Sequence, residues 1–207
     1  MKTKLPQIEE GDFRKHINAA FRAKRHVDYL KLVLENYEWY EREFSKVFST
    51  ANKSAAVYEF LVVYLDKKGL RRNIEMLGSH TFERFAKTIV KSMGWRYDHM
   101  HGFTLPGISK PRSGKFEFES ATELEFFAPG WEDDPFPTYK SSQIKICHID
   151  YAKHPRLDFI FDFGECHEFE ITFKGVRDYC GPDEKVKFPY VSHYNGIPPV
   201  QYPDYGG

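Results

Sequence analysis

Residues 156–175, RLDFIFDFGECHEFEITFKG, alternate apolar and polar side chains on either side of one glycine. A side-chain period of two belongs to a β-strand with one face against a core. Leu157, Phe159, Phe161 and Phe163 share one face of the first run, and Phe169, Ile171 and Phe173 share one face of the second. Only Gly164–His167 separate the two runs, so they pair as an antiparallel hairpin with Gly164 at a tight turn. A sheet with so many phenylalanines on one side has to be covered.

The same period appears in VYEFLVVYLD and LRRNIEML, joined by a Lys67-Lys68-Gly69 turn, which reads as a second hairpin. The period then changes. Phe82, Phe85, Ala86, Ile89, Val90 and Met93 recur at i, i+3, i+4, i+7, i+8 and i+11, one stripe of a helix. Ser79 or Thr81 caps its start, Gly94 ends it and Trp95 follows. YDHMHGFTL reads as a strand. Residues 106–140 read as a long connection with strand-like pieces at KFEFE and ELEFF and a surface loop at GWEDDPFPTYKSS. SQIKICHID suits a short helix or a strand. The proline-rich tail GIPPVQYPDYGG runs extended over the surface.

Upstream, Asp12–Asn36 places Phe13, Ile17, Phe21, Val27, Leu30 and Leu34 near one helical face, with Asp12 as N-cap. ENYEWYEREFSKVFS continues as a second helical piece, and STANKSAA reads as a linker. The division expected is a helical extension over residues 1–55 and an α+β domain over residues 56–207.

Bulk properties narrow the function. Thirty cations balance thirty carboxylates, so no global field draws in nucleic acid or an anionic membrane. No run approaches the roughly 18 apolar residues of a membrane helix, and MKTKLPQIEEGD has no apolar core of a signal peptide. Three cysteines without a CxxC form neither a disulfide framework nor a zinc ribbon. A cytoplasmic protein is expected, with no membrane contact.

Several side-chain groups could carry chemistry. Asp162-Phe163-Gly164 is the magnesium triplet of kinases, but no glycine-rich loop or HRD accompanies it. RSGKFEF lacks the glycine spacing of a phosphate loop, and neither GxSxG nor HExxH occurs. Cys166 sits beside His167, yet adjacent strand residues point to opposite faces, and nearby carboxylates raise a thiol's pKa. His99 and His101 form an HxH pair. In a strand both imidazoles share one face, about 6.5 Å apart along the chain. With Asp162, Glu165 or His167 they would make a donor set for a divalent metal. The competing interpretation is a half-exposed strand face and a polar hairpin tip. The first helix carries Arg14, Lys15, Arg22, Lys24 and Arg25, and the second strand Arg71 and Arg72. These are the residues with which a nucleic acid could be held; for those of the first helix the alternative is a solvated helix face.

The order of these segments resembles a known family. YEFLVVYLDKKGLRRNIEM, TFERFAKTIVKSMGW, DHMHGF, FIFDFGECHEFEI and FPYV…NGIPPVQYPDY follow one another as in the plasmid pRiA4b ORF-3-like family, over roughly residues 56–204. The family pattern falls on Arg71, Arg72, Thr81, Gly94, Trp95, His99, His101, Phe103, Phe161, Asp162, Phe163, Gly164, Pro199, Gln201 and Tyr202. Leu70 and His167 stand where many members have tryptophan, and Glu165 where they have aspartate. The resemblance implies an α+β fold, with an antiparallel or mixed sheet packed on the GW-terminated helix. It also implies an association with mobile elements. The resolvase-like label some members carry does not transfer, because no serine set among arginines and no C-terminal DNA-binding hairpin is present.

The function expected is therefore a binding or interaction module, with a protein partner or a second copy as its company. The alternatives are a metal-dependent hydrolase built on His99, His101, Asp162 and His167, and a nucleic-acid accessory protein. No cofactor is required by the pattern. A divalent metal is the one group its donors could take.

Overall fold

A computed structural model of the chain describes residues 4–8, 10–108, 124–127 and 137–202. Along it run α1 (Phe13–Arg22), α2 (Val27–Val47), β1 (Ala56–Tyr64), β2 (Arg71–Leu77), α3 (Phe82–Ser92), β3 (His101–Leu105), β4 (Leu124–Phe127), β5 (Arg156–Phe161), β6 (His167–Asp178) and β7 (Tyr190–Asn195). The expected KFEFE piece and the first part of GWEDDPFPTYKSS lie outside the described residues. SQIKICHID is a single 3-10 turn at Ile146–His148, flanked by isolated bridges Thr81↔Lys145 and Phe48↔Ile149.

The strands form one sheet in the order β4-β3-β5-β6-β1-β2-β7, every described pair antiparallel. Both expected hairpins are present. In β5–β6, Phe159 faces Phe169 and Phe161 faces His167. The two hairpins meet along β1–β6, where Val62 lies opposite Ile171. This seam is the middle of the sheet.

The core-facing side is covered by α3. Phe82, Phe85, Ala86, Ile89 and Val90 are buried, as their spacing requires. Phe85 meets Phe60 of β1 at 4.8 Å between ring centroids, and Phe82 meets Phe103 of β3 at 5.0 Å. Phe103 in turn lies 4.7 Å from Phe159. Such tilted and edge-on rings are the favoured packing of aromatic cores. The Thr81 hydroxyl caps α3 by accepting from Arg84 N at 3.3 Å. Gly94, with φ +75°, donates its N–H to Lys91 O, which turns the chain out of the helix.

Helices α1 and α2 share the core cluster with the sheet through Ile17, Val33, Tyr37, Tyr40 and Phe44. Tyr139 N donates to Tyr40 Oη at 3.0 Å, locking α2 onto the segment after β4. The helix boundary differs from the expected one. The break falls at residues 23–26, where Lys24 and His26 take left-handed φ values of 53° and 47°, and α2 then runs unbroken for 21 residues.

Arg72 lies inside the protein, at 2 % exposure. It has the parity of Ile74 and Met76, so the alternation of β2 turns it inward and leaves Arg71 outside. Its Nε donates to Ser92 O at 3.1 Å, and its Nη1 donates to Arg71 O and Asn195 O, each at 2.8 Å. The guanidinium also lies 4.9 Å from the centre of the Tyr194 ring.

Candidate functional site

Three segments far apart in sequence meet at one corner: the exit from α3 (residues 95–99), the β5–β6 turn, and the tail (residues 199–202). Strand β5 ends at Phe161, and residues 162–166 make the turn. The left-handed positions are Asp162 (φ 59°) and Cys166 (φ 54°), and Gly164 is not among them. Asp162 Oδ1 accepts from the backbone N–H groups of Gly164 (3.0 Å) and Glu165 (3.3 Å). A Cβ on Gly164 would come within 3.2 Å of that oxygen, so the glycine serves close approach to a carboxylate. Asp162 thereby supports the turn with one oxygen. Its other oxygen lies 3.5 Å from His99 Nδ1.

The tail closes the corner. Trp95 Nε1 donates to Pro199 O at 2.9 Å. The Gln201 amide is 8 % exposed and brackets the backbone of Arg96, accepting from its N–H at 2.8 Å and donating to its carbonyl at 2.9 Å. The same amide nitrogen lies 3.2 Å from Asp98 Oδ1 and 2.8 Å from Tyr202 Oη. Tyr202 Oη donates to Asp98 Oδ1 at 2.9 Å and lies 2.8 Å from His99 Nδ1. Desolvation works to raise the Asp98 pKa, but the hydrogen bonds from Tyr202 and His99, with the Arg96 charge, hold it below the usual carboxylate range. Desolvation, then the bond to Asp98, pushes the Tyr202 phenol up to about 12.

The hydrogen bonds and ion pairs of His99 gather at Nδ1: Asp98, Asp162 and Tyr202. The network assigns the ring proton to Nδ1 and leaves Nε2 as an acceptor, with the side chain 47 % exposed. A carboxylate-backed imidazole presented this way can accept a hydrogen bond or a proton from a ligand.

The other expected donors are placed differently. Strand β3 begins only at His101, so His99 and His101 do not share a strand face. His101 is fully buried, with Nδ1 2.8 Å from Tyr97 Oη and Nε2 2.9 Å from Ser141 Oγ. His167 is buried beneath the tail, with Nδ1 3.2 Å from Tyr64 Oη, Nε2 3.2 Å from Gln201 O, and its ring 4.2 Å from the Trp95 ring. Glu165 is exposed at the turn. Among the described residues no group of three His, Cys, Asp or Glu side chains is arranged to hold a metal.

The basic residues are scattered. Arg14 is paired with Glu10 (2.9 Å) and Glu41 (3.4 Å), and Lys15 lies 3.6 Å from Asp12. Arg22, Lys24 and Arg25 are exposed around the α1–α2 turn, Arg71 is exposed on β2, and Arg72 is interior. Sequence reasoning gave Asp98 no role. It also used Gln201 and Tyr202 only as family markers. Their position in that pattern was the signal that could have found them.

The amide of Gln201 supplies a direct test of the corner. In Gln201→Glu, a carboxylate replaces the donor facing Arg96 O and Asp98. We expect a loss of about 2 kcal/mol or more near neutral pH. The penalty of an acid whose pKa is raised in the fold is full above that pKa and vanishes below its unfolded value. The deficit relative to wild type should therefore shrink as pH falls. Urea midpoints of both proteins at neutral and mildly acidic pH measure it, and a deficit that does not narrow would show that these donors do not hold the corner.

The sequence model of plasmid pRiA4b ORF-3-like protein matches residues 61–199. Among solved structures, a protein of unknown function, MM3350 from Methanosarcina mazei Go1, is similar with a TM-score of 0.54 and 19% identity, over 69% of this chain and 71% of that one. Identity that low speaks to the fold alone. No curated protein matches the chain.

Proposed function

We propose, for a chain that belongs to the plasmid pRiA4b ORF-3-like family, that it is a binding module whose recognition corner is His99, backed by Asp98, Asp162 and Tyr202. One observation carries the reading. Of the three histidines considered for a metal, two have both ring nitrogens engaged by protein groups, and only His99 offers a free nitrogen outward. One imidazole with its carboxylates on the far nitrogen is short of the three or more ligands that a catalytic zinc site needs. It suits a ligand that donates a hydrogen bond. The tail, by closing over Trp95 and His167, pre-orders the corner, which lowers the cost of binding. In this reading residues 1–55 are an accessory helical extension of the domain at 56–207. The mobile-element association belongs to the same proposal.

Protein purified without added metal is expected to carry no stoichiometric zinc, iron or manganese. A bound equivalent that vanishes in His99→Ala would restore the hydrolase alternative. Native mass measurement should find a partner or a self-assembled state that His99→Ala weakens. A bare monomer for both proteins would count against a binding role.

A further inference from the structure

A different surface, the channel between α3 and β7, has the composition of a nucleic-acid site. It is a hollow of about 450 Å³ lined by Arg84, Lys87, Thr88 and Lys91 of α3, and by Pro189, Val191 and Tyr194 beside and on β7. The three cations recur at i, i+3 and i+7, so they form one row about 10 Å long on the outer face of the helix. Among the described residues the one carboxylate paired with this row is Glu83, which holds Lys87 at 3.0 Å, and the Lys87 ammonium also lies 5.3 Å from the centre of the Tyr97 ring. Arg84 donates from Nη2 to Phe188 O at 3.1 Å, which fixes its guanidinium beside the channel while its charge remains. Lys91, at the helix end, is exposed.

Opposite the row stands Tyr194, 58 % exposed. One face of its ring lies over the buried Arg72 guanidinium, which is itself held by three carbonyls. The ring is therefore held from below and open above. Such a platform is unusual for a surface tyrosine, whose exposed area would otherwise be free to swing.

We propose that this channel binds single-stranded nucleic acid, with phosphates along Arg84, Lys87 and Lys91 and a base stacked on Tyr194. A linear row of cations fits a polyanion better than a compact one, and a flat aromatic beside it fits a base. The inference stands apart from the reading of the His99 corner and uses none of its residues. It also differs from the arginines that the sequence suggested, since Arg72 acts here only by supporting the ring.

The test is fluorescence anisotropy of the full chain with a labelled twelve-nucleotide oligothymidylate. Binding should weaken with salt, with a slope of log K on log salt of about −2 for three phosphate contacts on a single strand. Lys91→Glu should lower affinity about tenfold or more and make the slope shallower by about one. Tyr194→Ala should lower affinity at least about fivefold without changing the slope, while Tyr194→Phe keeps it. Thermal denaturation of each variant guards against unfolding. The proposal is overturned by no binding at low salt, a flat salt response, or equal affinity for the matching duplex. It is equally overturned by full competition from inorganic pyrophosphate or a phosphotyrosine peptide at matched concentration, or by Tyr194→Phe failing like Tyr194→Ala.

Discussion

Acidification from neutrality towards pH 4 is expected to weaken the fold by several kcal/mol. The cause is three buried histidines. Burial, aided by nearby cations, lowers His80, His101 and His148 from 6.5 to about 4. Their contacts explain why the neutral ring is kept. His80 Nδ1 accepts from Leu77 N, and His148 Nδ1 accepts from Lys145 N. A protonated nitrogen would face a donor and lose its bond. His101 is the most enclosed, between Tyr97 and Ser141 with Lys87 adding positive potential.

Between the unfolded and folded values the unfolded chain binds a proton that the native state refuses. Stability is therefore complete above about 6.5 and is lost as pH falls towards 4. Each such site contributes at most about 1.4 kcal/mol per pH unit within that window. The carboxylates held low, Glu10, Glu43, Asp98, Asp178 and Glu184, act in the same direction but at lower pH. Urea midpoints measured across the window should fall steeply. His101→Gln should be less stable near pH 7 and have a visibly shallower pH slope. A wild-type slope near zero from 6.5 to 4.5 would sink this account of the core histidines.

Arg72→Ala is expected to cost about 3–5 kcal/mol, because it strips carbonyls of their charged donor and empties a large buried volume. The side chain ties three parts of the fold together. Ser92 O belongs to the last turn of α3, where carbonyls lack helical partners and the dipole favours a cation. Asn195 O belongs to β7, and the arginine itself to β2. Burial lowers its pKa, yet guanidinium stays charged, so the carbonyls are what compensate its desolvation. Arg72→Lys should recover little, because one ammonium cannot reach both Ser92 O and Asn195 O with a planar fork. A melting temperature lower by roughly 10 °C is expected for Arg72→Ala in a domain of this size. If Arg72→Lys melted with the wild type, charge alone would be sufficient and the fork argument would fail.

The two hairpins and α3 were legible because their signals are local. Phe159 and Phe161 alternate with polar neighbours, and Phe82, Phe85 and Ile89 repeat at helical spacing. Local signals also misled. No glycine or proline marks the α1–α2 break, since Lys24 and His26 take the left-handed conformation themselves. Strand β7 escaped notice because it is an edge with five of its six residues exposed, so no apolar face showed. Arg72 was read as surface because of its charge, though its parity with Ile74 and Met76 pointed inward. The corner was the least visible. His99, Asp162 and Tyr202 come from three separate segments, and only the pairing of β5 with β3 and the docking of the tail bring them together. Nothing in the spacing of HxH indicated that His101 would be sealed inside while His99 stayed out.

The position of the β1–β6 seam also bears on how the chain comes to be folded. Each hairpin can form as soon as its own residues exist, since its strands are near neighbours in sequence. The seam joins Val62 to Ile171, across most of the domain. Closing so large a loop delays the pairing that unites the sheet, and topologies dominated by such distant contacts fold slowly. During synthesis the first hairpin and α3 emerge with an unsatisfied strand edge at β1, and they wait for β6 to leave the ribosome. Until then that edge, like the edge of β2 that awaits β7, is open to pairing with another chain.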